Sequence, residues 1–276
     1  MKTLIELKDI SYSRQKKEIL KKINFTVHKG EKIIILGENG CGKTTLLNIL
    51  VGDIHPDKGE ISRNIYQEKI GVVYDKFSIL PMLKVKEIIR LFCTAYSVDY
   101  SRTITKYFDL FKLSTIIENH ILNLSMGERR RVSILLSLIH NPLLLVMDEP
   151  FSSVDPTIIE DLLTVIHENN GAVVYTTHDW SAESLKNNVV FMMYDGCIKR
   201  SQYNLPELMT LAKSESKVIC NLSDWNANTN DIMYYTKDEN VYILGDIKTI
   251  VQSLKTTSYQ VERINMQDLY YINNKY

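Results

Sequence analysis

The chain has 276 residues, enough for a large buried core, and its 33 Lys+Arg balance 33 Asp+Glu, which gives no ground for nucleic acid or an acidic membrane surface as main partner. Four scattered cysteines (Cys41, Cys93, Cys197, Cys220) form no C-x-x-C pair, so they read as free thiols in a reducing compartment, not a disulfide framework or zinc site. No apolar run approaches the ~20 residues of a membrane span, and the alternating, early-charged start from Met1 to Glu6 is no secretory signal.

In chain order, Leu4 to Tyr12 and Ile23 to Val27 alternate like strands around a charged turn at Arg14 to Glu18. They predict an antiparallel layer beside a nucleotide-binding sheet. Tyr12 precedes the glycine loop by a distance that would let its ring stack on adenine; packing on its strand neighbours is the structural alternative. The apolar run Ile33-Ile34-Ile35-Leu36 then leads into Gly37-Glu38-Asn39-Gly40-Cys41-Gly42-Lys43-Thr44, and Thr45 to Leu50 reads as the helix leaving it. Strand, glycine loop and helix are the context of a phosphate-binding loop. Its glycines let successive N–H groups turn toward an anion, and the helix start adds unpaired N–H groups. Residues 37–45 are therefore candidate ATP contacts, with Lys43 on the β- and γ-phosphates and the Thr44 hydroxyl on Mg²⁺.

A turn at His55 to Gly59 and a strand from Lys69 to Tyr74 follow, ending at Asp75. From Lys84 to about Leu122 the apolar spacing becomes helical, too long for a simple crossover and so a lobe of its own, placed at about 78–138. Ser125 and Glu128 then make an S-x-x-E capping box before the apolar helix Val132 to Ile139. Such a helix start is common as a purely structural feature; with Gly127 beside it, it can also offer N–H groups to a phosphate. Arg129, Arg130 and Arg131 read as a solvated face.

Leu143 to Met147 is apolar at every position, as in a parallel strand covered on both faces, and it ends in Asp148-Glu149,. Acids at that end of a strand lie where open α/β sheets bind ligands. Asp148 is the candidate to hold Mg²⁺ through water, and Glu149 the general base on the attacking water. Gly171 to Thr177 is a further buried strand with His178 at its end, placed for a hydrogen bond to the γ-phosphate or the water. Asp195 to Ile198 marks a hairpin, Leu205 to Ala212 a helix, and Lys213 to Ser216 a boundary. Beyond it, Ile232–Thr236 and Asn240–Leu244 read as a hairpin, Asp246–Leu254 as a helix, Tyr259–Ile264 as a strand and Met266–Ile272 as a last helix.

The phosphate loop, Leu124–Glu128, Leu143–Glu149, Val154-Asp155 and His178 together resemble the ATPase subunits of ATP-binding cassette (ABC) transporters, over residues 1 to about 210. Leu124–Glu128 discriminates, because most other phosphate-loop folds lack it. The resemblance implies an α/β P-loop NTPase of the ABC ATPase type. Its parallel sheet would carry an antiparallel β layer and a helical subdomain, in a domain over 1–212, and a small α+β appendage would occupy 217–276. It implies a head-to-tail dimer, homomeric or with a second ABC ATPase, in which Ser125 and Gly127 of one subunit close over the ATP held by Lys43 of the other. Asp155 would link the two sites, and Tyr12 matches the family's adenine-stacking aromatic. The subunit would sit in the cytoplasm against the inner face of the membrane, held by a separate transmembrane permease. Two departures stand out: Met126 and Glu128 within the family's LSGGQ segment, and Asp75 where a metal-touching glutamine is usual. The C-terminal segment around Gln267-Asp268-Leu269-Tyr270 resembles that of peptide, antibiotic and drug exporters, so export is the expected direction. The alternatives are an importer ATPase or a soluble ABC ATPase acting on DNA or the ribosome.

Overall fold

The computed structural model describes residues 2–75, 80–151, 154–155, 159, 162–164, 166, 168, 170–177, 189–201, 216–225, 233–255 and 258–275. Its centre is a six-stranded sheet ordered β5-β6-β7-β3-β8-β9. The strands are β3 (Lys32–Gly37), β5 (Ile70–Val73), β6 (Leu144–Met147), β7 (Ala172–Thr177), β8 (Val189–Tyr194) and β9 (Cys197–Arg200). The first five in spatial order, β5 through β8, run parallel, and only β9 is antiparallel to its neighbour. Alternate residues of β3 serve two cores: Ile34 and Leu36 face one, Ile33 and Ile35 the other. A strand covered on both faces has no reason to alternate polar and apolar, hence the unbroken runs in the sequence.

On the second of those faces lie helix α1 (Lys43–Val51) and an antiparallel sheet ordered β2-β1-β4, formed by β1 (Thr3–Arg14), β2 (Lys17–His28) and β4 (Lys58–Arg63). Gln15 and Lys16, both at positive φ, close the β1–β2 hairpin in two residues, the geometry that matches strand twist. Between β5 and β6 the chain leaves the sheet to build α2 (Val85–Ala95), α3 (Tyr100–Tyr107) and α4 (Met126–Leu138). Ile88, Ile89, Cys93, Tyr107 and Phe111 bury against the first face of the sheet and α4.

Helix α4 corrects one expectation. Arg130 and Arg131 are each only 7% exposed, because this helix is enclosed along most of its length and leaves little room for a solvated face. Their guanidinium groups are satisfied inside the protein: Arg131 Nη1 donates to the Phe111 carbonyl at 2.8 Å, and Arg130 ties down several strand ends. Arg129 donates to the Leu122 and Leu124 carbonyls.

Residues beyond 216 form a second sheet, ordered β11-β12-β10-β13, from β10 (Ser216–Asn221), β11 (Met233–Lys237), β12 (Asn240–Leu244) and β13 (Gln260–Arg263). Strand β10 is absent from the sequence reading. It is central, with α5 (Ile247–Ser253) packed on the side of Val218 and Cys220, and α6 (Met266–Lys275) on the side of Lys217. Tyr194 on β8 meets Tyr270 and Tyr271 at ring-centroid distances of 5.6 and 5.8 Å, which seats α6 on the main sheet. The expected helix at Leu205–Ala212 and His178 lie outside the described residues.

Candidate functional site

The C-terminal ends of β3, β5, β6 and β7 come out along one edge of the sheet, and a cavity of about 520 Å³ opens there. Asn39, Gly40, Gly42, Lys43, Thr44 and Thr45 line it from the phosphate loop, and Asp75, Asp148 and Glu149 from the ends of β5 and β6. The loop is shaped by its glycines. Gly42 has φ 112°, and a Cβ there would stand 2.8 Å from Met193 Cε and 3.1 Å from the Ile19 carbonyl. Gly37 lies under the backbone of Met193, where a Cβ would meet the carbonyl at 2.6 Å. Larger residues at either place would push the loop off β8 and the β1–β2 hairpin. Cys41 is half-buried beside Lys43, and burial pushes its thiol up, so it serves as neutral packing.

Lys43 is 6% exposed. Its Nζ donates to the Gly37 carbonyl at 2.7 Å and the Glu38 carbonyl at 3.2 Å, and stands 3.3 Å from Glu149 Oε1. The Thr44 hydroxyl donates to Asp148 Oδ2 at 2.6 Å. The other carboxylate oxygen, Oδ1, accepts from Thr176 Oγ1 at 2.6 Å, and the same hydroxyl accepts from the Glu149 amide at 3.0 Å. Thr176 escaped the sequence reading. Its place is set by topology, since β7 runs between β3 and β6 and so delivers its hydroxyl between the loop and the acids. Glu149 has φ 47°, a conformation that costs a non-glycine residue of order 1 kcal/mol and that turns it into the cavity.

Arg130 reaches the same edge from α4. Its Nη1 donates to the carbonyls of Tyr74 at 2.6 Å and Asp148 at 3.3 Å, and its Nη2 to the Asp75 carbonyl at 3.1 Å and Asp75 Oδ1 at 3.2 Å. Asp75 therefore lines the cavity with one of its oxygens engaged by arginine. The donor set of Thr44, Asp148 and Asp75 is all hard oxygen, which suits Mg²⁺. Among the described residues no three His, Cys, Asp or Glu side chains cluster as a metal cage.

Other expected residues lie elsewhere. Tyr12 is half-buried against the core of the antiparallel layer and does not line the cavity; Arg14 and Ile19 do. Ser125 caps α4, accepting from Glu128 N at 3.3 Å while Glu128 Oε2 accepts from Ser125 N at 2.8 Å. Ser125, Gly127 and Asp155 are not among the lining residues of this chain's own cavity.

A phosphate loop at the end of a parallel strand, with an acid pair at the end of a nearby strand, defines a P-loop NTPase. The ABC transporter family profile matches residues 20–152. A protein of Methanocaldococcus jannaschii, named as an ABC transporter ATP-binding protein, is 30% identical over 275 residues, which is 90% of this chain and 99% of that protein. The spermidine/putrescine import ATP-binding proteins PotA of Spiroplasma citri and Fusobacterium nucleatum are 27% and 33% identical. Those matches cover 79% and 63% of this chain; the chain spans 69% of the first protein and about half, 52%, of the second. Among solved structures, a dimeric ATP-binding cassette in a post-hydrolysis state, bound to ADP and Pi, superposes with a TM-score of 0.63 at 24% identity, over 71% of this chain and 97% of that one. The chain belongs to the ABC transporter ATP-binding proteins and has the fold of their ATPase domain. The exporter resemblance finds no support among these relatives.

Proposed function

We propose that the chain is the ATP-hydrolysing subunit of an ABC importer whose cargo crosses through a separate membrane permease. The observation that carries the ATPase chemistry is the single cavity uniting Lys43, Thr44, Asp148 and Glu149. Lys43 and the loop amides hold the phosphates, Thr44 and Asp148 hold Mg²⁺, and Glu149 takes the proton of the attacking water. Bound there, Mg²⁺ supplies charge neutralisation on the phosphate oxygens. Thr176 fixes the Asp148 carboxylate and the Glu149 backbone, and His178, which follows β7, is assigned to the γ-phosphate or the water.

The partner assignments rest on the family and on α4. Ser125 and Gly127 at its capped N-terminus do not line their own chain's cavity, and Met126 beside Ser125 is 74% exposed. In the sandwich reading Ser125 and Gly127 close over the nucleotide of a second ATPase chain, with Asp155 between the two sites. No helix among the described residues is long and apolar enough to cross a membrane; attachment to the cytoplasmic face is assigned to the permease on the family resemblance. Residues 217–276 are proposed as an accessory unit seated on β8.

Import is favoured because relatives named by cargo are spermidine/putrescine import proteins. The exporter resemblance rested on the segment around Gln267–Tyr270, yet Asp268 is fully buried in an ion pair with Lys217 and Leu269 lies in the core. Packing accounts for those residues without reference to cargo. The test is reconstitution of the chain with its co-purified permease in vesicles, with ATP on the ATPase side. Spermidine should move toward the ATPase compartment with the parent and not with Glu149→Gln. ATP-driven movement away from that compartment would overturn import, and transport unaffected by Glu149→Gln would overturn the ATPase assignment.

A further inference from the structure

The two sides of the cavity differ in chemistry. Thr44 touches Asp148 at one side, where the acids gather. At the other, where a Cβ on Gly42 would stand 3.1 Å from the Ile19 carbonyl, the β1–β2 hairpin contributes Arg14 and Ile19. A nucleotide whose phosphates lie on Lys43 with the metal at Asp148 therefore directs its nucleoside toward the hairpin. The ring expected there, Tyr12, packs into the core of the antiparallel layer. The pairing puts a β-bulge on the facing strand: Tyr12 opposes Leu20 but Ser13 opposes Glu18, leaving Ile19 as an extra residue of β2 beside the cavity. A bulge adds local twist and re-aims side chains. Past it, Arg14 pairs with Lys17 and is fixed by the two-residue turn at Gln15 and Lys16. Among the described residues, the exposed Arg14 side chain makes no hydrogen bond or ion pair.

We infer that Arg14 receives the base of the nucleotide, its planar guanidinium stacking on the purine face while Ile19 supports the sugar. This assignment rests on the nucleotide-binding reading above. A guanidinium is flat, permanently charged and weakly hydrated, and it is attracted to the π-face of an aromatic system. Stacking engages the face of a base and not its hydrogen-bonding edge, so it barely separates adenine from guanine. ATP and GTP therefore bind this chain with closely similar affinity.

Equilibrium binding of ATP, GTP and inorganic tripolyphosphate to the full chain tests the assignment. Arg14→Ala should weaken ATP and GTP about tenfold each and leave tripolyphosphate within about twofold. Arg14→Tyr, which restores a flat partner, should recover most of the loss, and Arg14→Lys, which keeps only the charge, should not. Unchanged ATP affinity in Arg14→Ala would overturn the proposal. So would an equal loss of tripolyphosphate, which would place the guanidinium on a phosphate. Lys43→Ala separates the two levels of argument, because it should abolish tripolyphosphate binding whatever Arg14 does. A parent protein that binds neither ATP nor tripolyphosphate would overturn the nucleotide reading itself, and the Arg14 assignment with it.

Discussion

Lys43 Nζ stands 3.3 Å from Glu149 Oε1, with both side chains largely withdrawn from water. The lysine that should grip the phosphates thus faces the carboxylate that should activate water. An incoming phosphate competes with Glu149 and with the Gly37 and Glu38 carbonyls for the same ammonium. Removing the Glu149 charge should lower that competition while abolishing the base. Glu149→Gln is expected to bind ATP as tightly as the parent or a few-fold tighter, and to lose at least about a hundredfold in hydrolysis. Isothermal titration and phosphate release measure the two effects. Parental turnover in the variant would show that another group is the base.

Thr176 makes a sharper test of how the acids are held. Its hydroxyl bridges Asp148 Oδ1 and the Glu149 amide at a fully buried position. Thr176→Val keeps the shape and deletes both bonds, leaving a buried carboxylate oxygen and a backbone N–H short of a partner. The expected cost is about 1–3 kcal/mol of stability, with kcat reduced more than KM for ATP because the acids lose their aim. Thr176→Ser should restore both. Equal kcat in the valine and parent proteins would remove Thr176 from the positioning of the site.

How far the chain announces this site depends on whether each piece is contiguous. The phosphate loop and Asp148-Glu149 are legible because each is a short run beside a strand. Thr176 is not, since its role comes from strand order, which places β7 between β3 and β6. Arg130 hides in a run of three arginines that looks like a solvated face, and only the enclosure of α4 reveals it as an internal tie. Strand β10 hides for the opposite reason: with helices on both faces, Lys217 to Cys220 show no alternation to find. Ile19 reaches the cavity from a bulge in β2, which period-two counting cannot register,.

Arg130 joins α4 to the ends of β5 and β6 through the Tyr74, Asp75 and Asp148 carbonyls. Arg130→Met would leave these acceptors facing an apolar group, at about 2–4 kcal/mol by the cost of unsatisfied buried polar atoms. Asp75→Asn touches only the outer contact, on a side chain that is 57% exposed, and should cost less than about 1 kcal/mol. Chemical denaturation ranks the two. Arg130→Met should also lower kcat, because the Asp148 backbone loses a restraint. A stability loss in Asp75→Asn as large as in Arg130→Met would mean that the ion pair, and not the carbonyl ties, is what matters.

The last helix is held by charge inside the protein. Lys217 Nζ donates to both Asp268 oxygens at 3.0 Å, the Tyr235 hydroxyl donates to Asp268 Oδ1 at 2.6 Å, and Lys217 lies over the Tyr242 ring. Burial, with Asp268 alongside, pushes the Tyr235 phenol well above its usual range, so it stays a donor at any working pH. Asp268→Ala strands a buried ammonium, whose remaining carboxylate neighbour, Glu262 at 3.4 Å, is half-exposed. The expected loss is about 3–5 kcal/mol, while replacing both partners by apolar residues, Lys217→Met with Asp268→Leu, should recover part of it, the Tyr235 hydroxyl still lacking its acceptor,. Because α6 carries Tyr270 and Tyr271 onto Tyr194, its release should also expose the C-terminus to protease. Denaturation and limited proteolysis read both effects in the same samples. A double variant no more stable than Asp268→Ala would mean that the charge pair itself, and not its completeness, is what fixes α6 to the sheet.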